Sequence, residues 1–267
     1  MTTTSQWGAD IRRVGVDPVG REALRALIDG DIGVLVLRGL LPAAAFERHR
    51  ERAATLYEHA ATTYYANGKL TTIGPYLAKH LDDPDRYFAE AERMNALCAQ
   101  VGFTVADEVR AAFERVLGLR VDLAEEPGGR RYAGACVRIH PDGVANPMHN
   151  DLIARDAAGT GLTVAGLAYQ LSCVICLQEC QGGGESKIYA KTWEPADERF
   201  KIPGGLGYDH GVVAGVPALE FAPQAHDVYV LNPRHYHEIL EVSGDDRLTV
   251  GFFFGGDDAL EHAVAWG

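Results

Sequence analysis

Asp227-Val-Tyr-Val-Leu-Asn-Pro-Arg-His-Tyr-His-Glu-Ile-Leu-Glu-Val-Ser-Gly-Asp-Asp-Arg-Leu-Thr-Val-Gly-Phe-Phe-Phe254 is the stretch that decides the fold. It holds three short runs, Asp227–Leu231, Tyr236–Val242 and Arg247–Phe254, cut by Asn232-Pro233 and by Ser243-Gly-Asp-Asp246. Such runs, rich in Val, Tyr and Phe and bounded by turn residues, are too short for helices and predict strands. The same grammar extends upstream. After the turn Glu126-Pro-Gly-Gly129 come strand-like runs at Tyr132–Ile139, Leu167–Gln178, Glu185–Tyr189 and Ala218–Phe221. Many short strands at loose, turn-marked spacing predict a β-sandwich or jelly roll.

Further upstream the pattern turns helical. Arg21 to Gly30 is amphipathic and closed by glycine, and Gly33-Val-Leu-Val-Leu-Arg38 is a short buried strand. Pro42 opens a helix expected to run to about Tyr64, with Phe46, Ala53, Leu56 and Ala60 at helical spacing. Asn67-Gly68 and Gly74-Pro75 break the chain, and two more helices are expected near Asp85–Val101 and Thr104–Leu117. Helices first and strands afterwards make an α+β fold in which helices brace a sheet. The expected organisation is one domain over 1–267: a mainly helical N-terminal segment over residues 1–125, a jelly-roll core over 126–256 and a C-terminal tail over 257–267.

A chain of 267 residues buries roughly 70–75% of its unfolded surface and folds without disulfides or a structural metal. Its 37 acidic and 25 basic residues give a net charge of −12, which disfavours nucleic acid and acidic lipid surfaces as partners. No run approaches about 18 apolar residues, so no membrane span is expected. Met1-Thr-Thr-Thr-Ser-Gln-Trp7 shows neither a basic start nor an apolar run, so no signal peptide is read there. Five cysteines, an odd count, fit reduced thiols in a cytoplasm. Cys173-x-x-Cys176-x-x-x-Cys180 has metal-like spacing, but in an extended run Cys173 and Cys176 point to opposite faces and read as small buried side chains.

The chemistry lies in four elements of the strand-rich half. Met148-His149-Asn150-Asp151 carries an H-x-D pair, and on an extended chain His149 and Asp151 share a face. Pro233-Arg-His-Tyr-His237 lies 88 residues beyond His149, counted to His237. A histidine from it would complete a 2-His-1-carboxylate facial triad with three metal positions left open. Arg247-Leu-Thr249 returns across a turn, offering a guanidinium fork for a carboxylate and a hydroxyl on the same face. Gly182-Gly-Gly-Glu185 is a glycine-rich bend between two strands. His235 and His237 have the same parity, so alternation does not separate them.

H-x-D, a distant His, and Arg ten residues later followed by x-Thr resemble the non-haem Fe(II)/2-oxoglutarate-dependent oxygenases. Gly33-Val-Leu-Val-Leu-Arg-Gly-Leu-Leu-Pro42 is similar to the opening strand and turn of many members. Gly183-Gly-Glu-Ser-Lys-Ile-Tyr189 and Asn232-Pro-Arg-His-Tyr-His-Glu238 resemble a branch of standalone enzymes that hydroxylate or halogenate free amino acids and similar small molecules. The likeness covers residues 30–256. It implies a double-stranded β-helix preceded by helices, Fe(II) with 2-oxoglutarate and O2 as cosubstrates, and release of succinate and CO2. It implies His149, Asp151 and His237 as iron ligands, with Arg247 and Thr249 holding the distal carboxylate of 2-oxoglutarate. The ten-residue step to Arg247 selects His237, because His235 would make it twelve.

In halogenases of this family a glycine or alanine replaces the carboxylate; Asp151 stands here. The expected outcome is hydroxylation of a free amino acid or amine-bearing metabolite. Desaturation, cyclisation, epimerisation and N-oxygenation share the iron site, and a non-catalytic metal- or small-molecule-binding jelly roll is the alternative from another class. Arg138, in the strand before the iron motif, is placed to contact 2-oxoglutarate or a substrate carboxylate, with a solvent-facing ion pair as the alternative. Arg155, Trp193 and Tyr76 are candidate substrate contacts, the last within the Thr71–Tyr76 stretch between helices. Lys191–Tyr208 reads as a lid, and the remaining histidines, His140 among them, read as structural.

Overall fold

The computed structural model describes residues 7–267, so the reading of Met1 to Gln6 lies outside the described residues. The strands are β1 (Ala9–Arg13), β2 (Val34–Arg38), β3 (Ala60–Tyr65), β4 (Gly68–Ile73), β5 (Arg120–Leu123), β6 (Cys136–His140), β7 (Asn146–His149) and β8 (Leu171–Gln178). They continue as β9 (Gly182–Gly183), β10 (Ser186–Thr192), β11 (Ala218–Phe221), β12 (Val228–Leu231), β13 (His235–Ile239), β14 (Val242–Ser243), β15 (Arg247–Gly256) and β16 (His262–Trp266). The α-helices are α1 (Arg21–Asp29), α2 (Ala43–Ala54), α3 (Pro84–Val101), α4 (Val105–Leu117) and α5 (Ile153–Asp156).

β15 is the spine of a ten-stranded sheet ordered β1-β2-β12-β8-β15-β6-β4-β3, with β16 and β5 continuing from β15. A four-stranded sheet, β11-β10-β13-β7, lies across from one region of it, and β14 pairs with β9. The fold is thus mixed α and β, dominated by large sheets. Alternation sorts the large sheet into two faces. Leu35, Leu37, Ile175, Val228, Val230, Val250 and Phe252 meet Leu24 and Leu27 of α1, Phe46 of α2 and Phe113 of α4 in the main core. Each such fully buried Leu or Phe contributes roughly 1.5–3 kcal/mol. On the opposite face Val34, Val36, Val174, Tyr229 and Leu231 pack against Ile188 of the smaller sheet.

The helices end where the sequence places stops: Gly30, Gly102 and Gly118 all adopt left-handed backbone. Asp83 caps α3, its carboxylate accepting from the Arg86 N–H at 3.2 Å, with Pro84 in the first turn.

Several expectations are corrected. The helix from Pro42 stops at Ala54, a 3-10 turn follows at Tyr57–His59, and the hairpin β3–β4 then runs to Ile73. Helical spacing of a few alanines there is outweighed by Thr62-Thr-Tyr-Tyr65, β-branched and aromatic residues ahead of a tight turn. Within residues 7–125 the helices α1 to α4 hold more residues than the strands, while β1 to β5 all join the large sheet. The expected tail 257–267 holds β16, antiparallel to β15 and parallel to β5, with Trp266 only 1% exposed. The remaining differences are boundaries: Tyr132–Ile139 begins at Cys136, Leu167–Gln178 at Leu171, and Tyr236–Val242 divides into β13 and β14. Cys173 sits in the main core, while Cys176 shares the opposite face with Val174; no cysteine among the described residues joins a cluster able to hold a metal.

Candidate active site

β7 and β13 are neighbours in the smaller sheet, and their register sets His149 directly opposite His237. Asp151 follows β7, its backbone N–H donating to the Pro233 carbonyl at 2.9 Å, which turns the carboxylate back toward the two imidazoles. Asp151 Oδ2 lies 3.8 Å from His149 Nε2 and 3.7 Å from His237 Nε2. One donor atom from each of the three residues falls within 4.8 Å of the others, the one such cluster among the described residues. His149 Nδ1 faces the Pro147 carbonyl at 2.7 Å and His237 Nδ1 the His235 carbonyl at 2.9 Å. A carbonyl only accepts, so both Nδ1 atoms carry the proton and both Nε2 lone pairs face the shared point. Burial, then the neighbouring His149, pushes His237 down to about 3 against the pull of Asp151, which keeps the ring a neutral donor. Two neutral imidazole nitrogens and one carboxylate suit a divalent iron-type ion, so the donor set fits the metal the sequence implies.

His235 is turned away. Its Nδ1 faces the Tyr189 carbonyl at 2.9 Å, its ring lies 5.6 Å from that of Trp7, and it is buried. The pairing of β10 with β13 shifts register between Ile188 and Thr192, opposite His237 and His235. That irregularity re-aims one of two side chains that simple alternation would point together.

The cleft between the sheets continues past His237. β6 and β15 pair Arg247 with His140 and Thr249 with Arg138, so all four project to the inner face. Arg247 is 3% exposed, and its guanidinium donates to Tyr229 Oη at 2.9 Å. Among the described residues no carboxylate pairs with it. Ser186 Oγ lies 3.3 Å from the same Tyr229 oxygen, and Thr249 Oγ1 is buried without a partner. The glycine-rich bend closes this end. A Cβ on Gly184, whose φ is +68°, would come 2.6 Å from Cys180 Sγ and 3.2 Å from Arg247 Cδ. A buried guanidinium without a counterion is costly unless a guest supplies one. The cleft therefore fits a carboxylate at Arg247, as 2-oxoglutarate would provide.

His140, expected to be structural, lines this cleft with both ring nitrogens buried and unpartnered. Burial, then the charges of Arg247, Arg138 and His149, pushes it down to about 3. Asn146 on β7 also lines it, its Oδ1 unpartnered. The sequence signal for His140 is its parity with Arg138 on one strand; Tyr229, by contrast, shows none beyond its place in an apolar run. Arg138 is half-buried and has no hydrogen-bond or ion-pair partner among the described residues.

The rim gathers the other candidates unevenly. Arg155 is committed: it grips Asp156 at 2.6 and 3.1 Å, donates to Asn150 Oδ1 at 2.7 Å, and lies 4.8 Å over the Trp193 ring. Trp193 Nε1 donates to Glu198 at 2.8 Å. Tyr76 and Tyr65 share a hydroxyl hydrogen bond of 2.8 Å. The segment Lys191–Tyr208 is anchored along its length: Asp197 accepts from Tyr236 Oη at 3.0 Å and pairs with Lys191 at 3.0 Å, and Tyr208 Oη donates to Glu198 at 2.7 Å. Gly207, φ +74°, lies so close that a Cβ would come 1.9 Å from the Met148 carbonyl and 3.0 Å from His149 Cβ. Asn67, at the tip of the β3–β4 hairpin, joins this wall through Nδ2 to the Leu206 carbonyl (2.9 Å) and Oδ1 from the Leu206 N–H (2.8 Å).

Known proteins are similar to this chain to different extents. The family model described as carrier-protein-independent halogenase WelO5 matches residues 14–267. The L-gamma-glutamyl-L-propargylglycine hydroxylase of Streptantibioticus cattleyicolor is 29% identical over 190 residues, 69% of this chain and 68% of that protein. The L-isoleucine 3(1)-dioxygenase of Pantoea ananatis is 26% identical over 184 residues, 64% of this chain and 62% of that protein. The crystal structure of an N-substituted L-amino acid dioxygenase from Burkholderia ambifaria, in complex with alpha-KG, superposes with a TM-score of 0.60 at 14% identity. It covers 92% of this chain and 90% of that one. At that identity the likeness is one of fold.

Proposed function

The chain belongs to the carrier-protein-independent WelO5 halogenase family of Fe(II)/2-oxoglutarate oxygenases, and on that premise we propose that it hydroxylates an unactivated C–H of a free amino acid or similar small polar metabolite. The two facing sheets are read as the halves of a double-stranded β-helix, and the chain as one catalytic domain. A single observation carries the reading: His149, Asp151 and His237 converge beside a buried Arg247 that has no counterion among the described residues.

His149 and His237 would hold the metal through Nε2, and Asp151 through its carboxylate. Arg247, positioned by Tyr229 and by the Gly184 bend, would bind the distal carboxylate of 2-oxoglutarate, with the Thr249 hydroxyl as a further donor. Bound together, the metal and 2-oxoglutarate supply oxidation of a C–H bond by O2, giving an alcohol, succinate and CO2. Val174, Ile188 and Leu231 line the cleft beside the polar groups and limit water there. The backbone carbonyls of Pro147 and His235 hold the Nδ1 protons and fix the two rings.

Asp151 favours hydroxylation over halogenation within this family, because a third protein ligand fills the place a halide would take. A free substrate agrees with the carrier-protein-independent description of the family and with the dipeptide and amino acid named for two relatives. The test starts without oxygen. Fe(II) and then 2-oxoglutarate should produce the weak visible charge-transfer band of a chelated iron–keto acid complex. Oxygen-dependent succinate release is then screened against free L-amino acids, with Asp151→Ala as the control. Bound iron without that band removes 2-oxoglutarate from the account.

A further inference from the structure

We propose that Arg138 is the carboxylate receptor for the substrate, distinct from the cosubstrate site at Arg247, so that the substrate class is a free carboxylic acid and not its amide. This rests on the reading of the site as a 2-oxoglutarate oxygenase. Placement and unmet charge carry it. β6 sets Arg138 two residues from His140 and, across β15, opposite Thr249. It thus shares a face with Arg247, yet the two cations stand at different stations along that face. Arg247 lies at the closed end, under the Gly184 bend and beside Tyr229. Arg138 lies toward the β3–β4 hairpin, opposite Thr72 on β4.

That hairpin builds a wall at this end. Register puts Thr72, Ala61, Thr63 and Tyr65 on the same face as Arg138. Tyr65 is tied to Tyr76 by their hydroxyls. The Arg138 guanidinium lies over Gly251, where an added Cβ would stand 3.8 Å from its central carbon, so the small residue on β15 lets it rest against the sheet. Among the described residues, neither the wall nor β6, β8 or β15 supplies a carboxylate to Arg138. Asp151, the acidic metal-ligand candidate, is outside ion-pair distance of it, and Glu238 accepts from Tyr189 at 2.6 Å and faces His210 at 3.1 Å. 2-Oxoglutarate brings two carboxylates, one for the metal and one for Arg247. Arg138 is the third cationic receptor, and its complement is a carboxylate on the other reactant. Arg155, the other cation near the site, is already neutralised by Asp156.

The test compares the wild type with Arg138→Met, which keeps the stem and removes the charge, and with Arg138→Lys. All three are loaded with Fe(II) and 2-oxoglutarate without oxygen, then assayed with a panel of free L-amino acids and the matching amino acid amides. The iron–keto acid band and its 2-oxoglutarate dependence should be the same in all three. The wild type should couple succinate release to acids and not to amides. Arg138→Met should raise the KM for the acid about 30-fold or more and lose the preference for acid over amide, with Arg138→Lys restoring some of both. Loss of the band in Arg138→Met overturns the inference by assigning Arg138 to the cosubstrate. So do an unchanged KM and preference, or a wild type that accepts amides as well as acids. A wild type that forms the band but responds to no carboxylate in the panel overturns both this inference and the amino acid reading.

Discussion

Arg247→Met should have opposite effects on the empty and the loaded protein. In the empty protein Arg247 is 3% exposed, has one hydroxyl partner, Tyr229, and no carboxylate among the described residues. Replacing it with Met keeps the stem that packs against Gly184 and removes the buried charge. The lost neutral-acceptor bond is worth about 1 kcal/mol, and relief of an unpaired buried cation offsets at least that much. The melting temperature without 2-oxoglutarate should therefore fall by no more than about 2 °C, or rise, since 1 kcal/mol corresponds to about 2 °C for a chain of this length. In the loaded protein the balance reverses. At about 100 times Kd, 2-oxoglutarate adds about 2.7 kcal/mol to the wild type, a rise of about 5 °C. Removing one partner of a buried charge pair costs about 2–5 kcal/mol, or at least about 30-fold in Kd. At the same concentration the variant should then gain under about 1 kcal/mol, a shift of at most about 2 °C. The assay is thermal unfolding without oxygen, with Fe(II) present, across a 2-oxoglutarate titration. A variant that melts about 6 °C or more below the wild type when empty, yet keeps the full ligand shift, would refute the assignment and make Arg247 a structural residue.

His237→Ala should lose bound iron while His235→Ala keeps it, measured as iron content after anaerobic loading; the reverse result sinks the choice made from the β10–β13 irregularity. Gly184→Ala adds a methyl 3.2 Å from Arg247 Cδ at a φ of +68°. It should weaken 2-oxoglutarate binding roughly tenfold or more, through about 1–3 kcal/mol of strain and displacement, and an unchanged Kd would show that the bend does not position Arg247. His140 contributes to the pH dependence alongside His237, which burial also pushes down to about 3. The folded pKa of His140, about 3, lies below the ordinary 6.5, so the unfolded chain binds the extra proton between those values, and stability is lost as pH falls below 6.5. The slope from His140 alone is at most about 1.4 kcal/mol per pH unit, or about 2 kcal/mol between pH 6.5 and 5. His140→Gln should flatten the fall in melting temperature over that interval by about 4 °C, and an identical profile would place the titration elsewhere.

The β3–β4 hairpin marks where local reading failed. Ala53, Leu56 and Ala60 continue the helical spacing of α2, but only the first two are buried; Ala60 begins an exposed edge strand. Periodicity reports what a segment could bury, and the sheet edge at β6 was available to Thr71, Thr72 and Ile73 only once the chain had folded. The same holds for β16, whose partner β5 is remote in sequence and whose five residues by themselves do not show the pairing with β15. His140 was hidden differently: its parity with Arg138 places the two on one face of a strand, but that this face lines the cleft appears only when β6 lies beside β15.

The strand-rich second half, the stops of the helices at Gly30, Gly102 and Gly118, and the small set of residues able to ligate iron and pair with a carboxylate are all legible in the chain alone. These are local matters of backbone preference, side-chain parity and donor chemistry, which a few neighbouring residues settle. Which candidates meet is a property of the assembled sheets. They turn His235 away where β10 changes register, engage Arg155 with Asp156, leave Arg138 and Arg247 on one face without counterions among the described residues, and bring the hairpin across to Leu206. Each of those outcomes depends on which strands become neighbours and in what register, and that is fixed by burial summed over the whole chain.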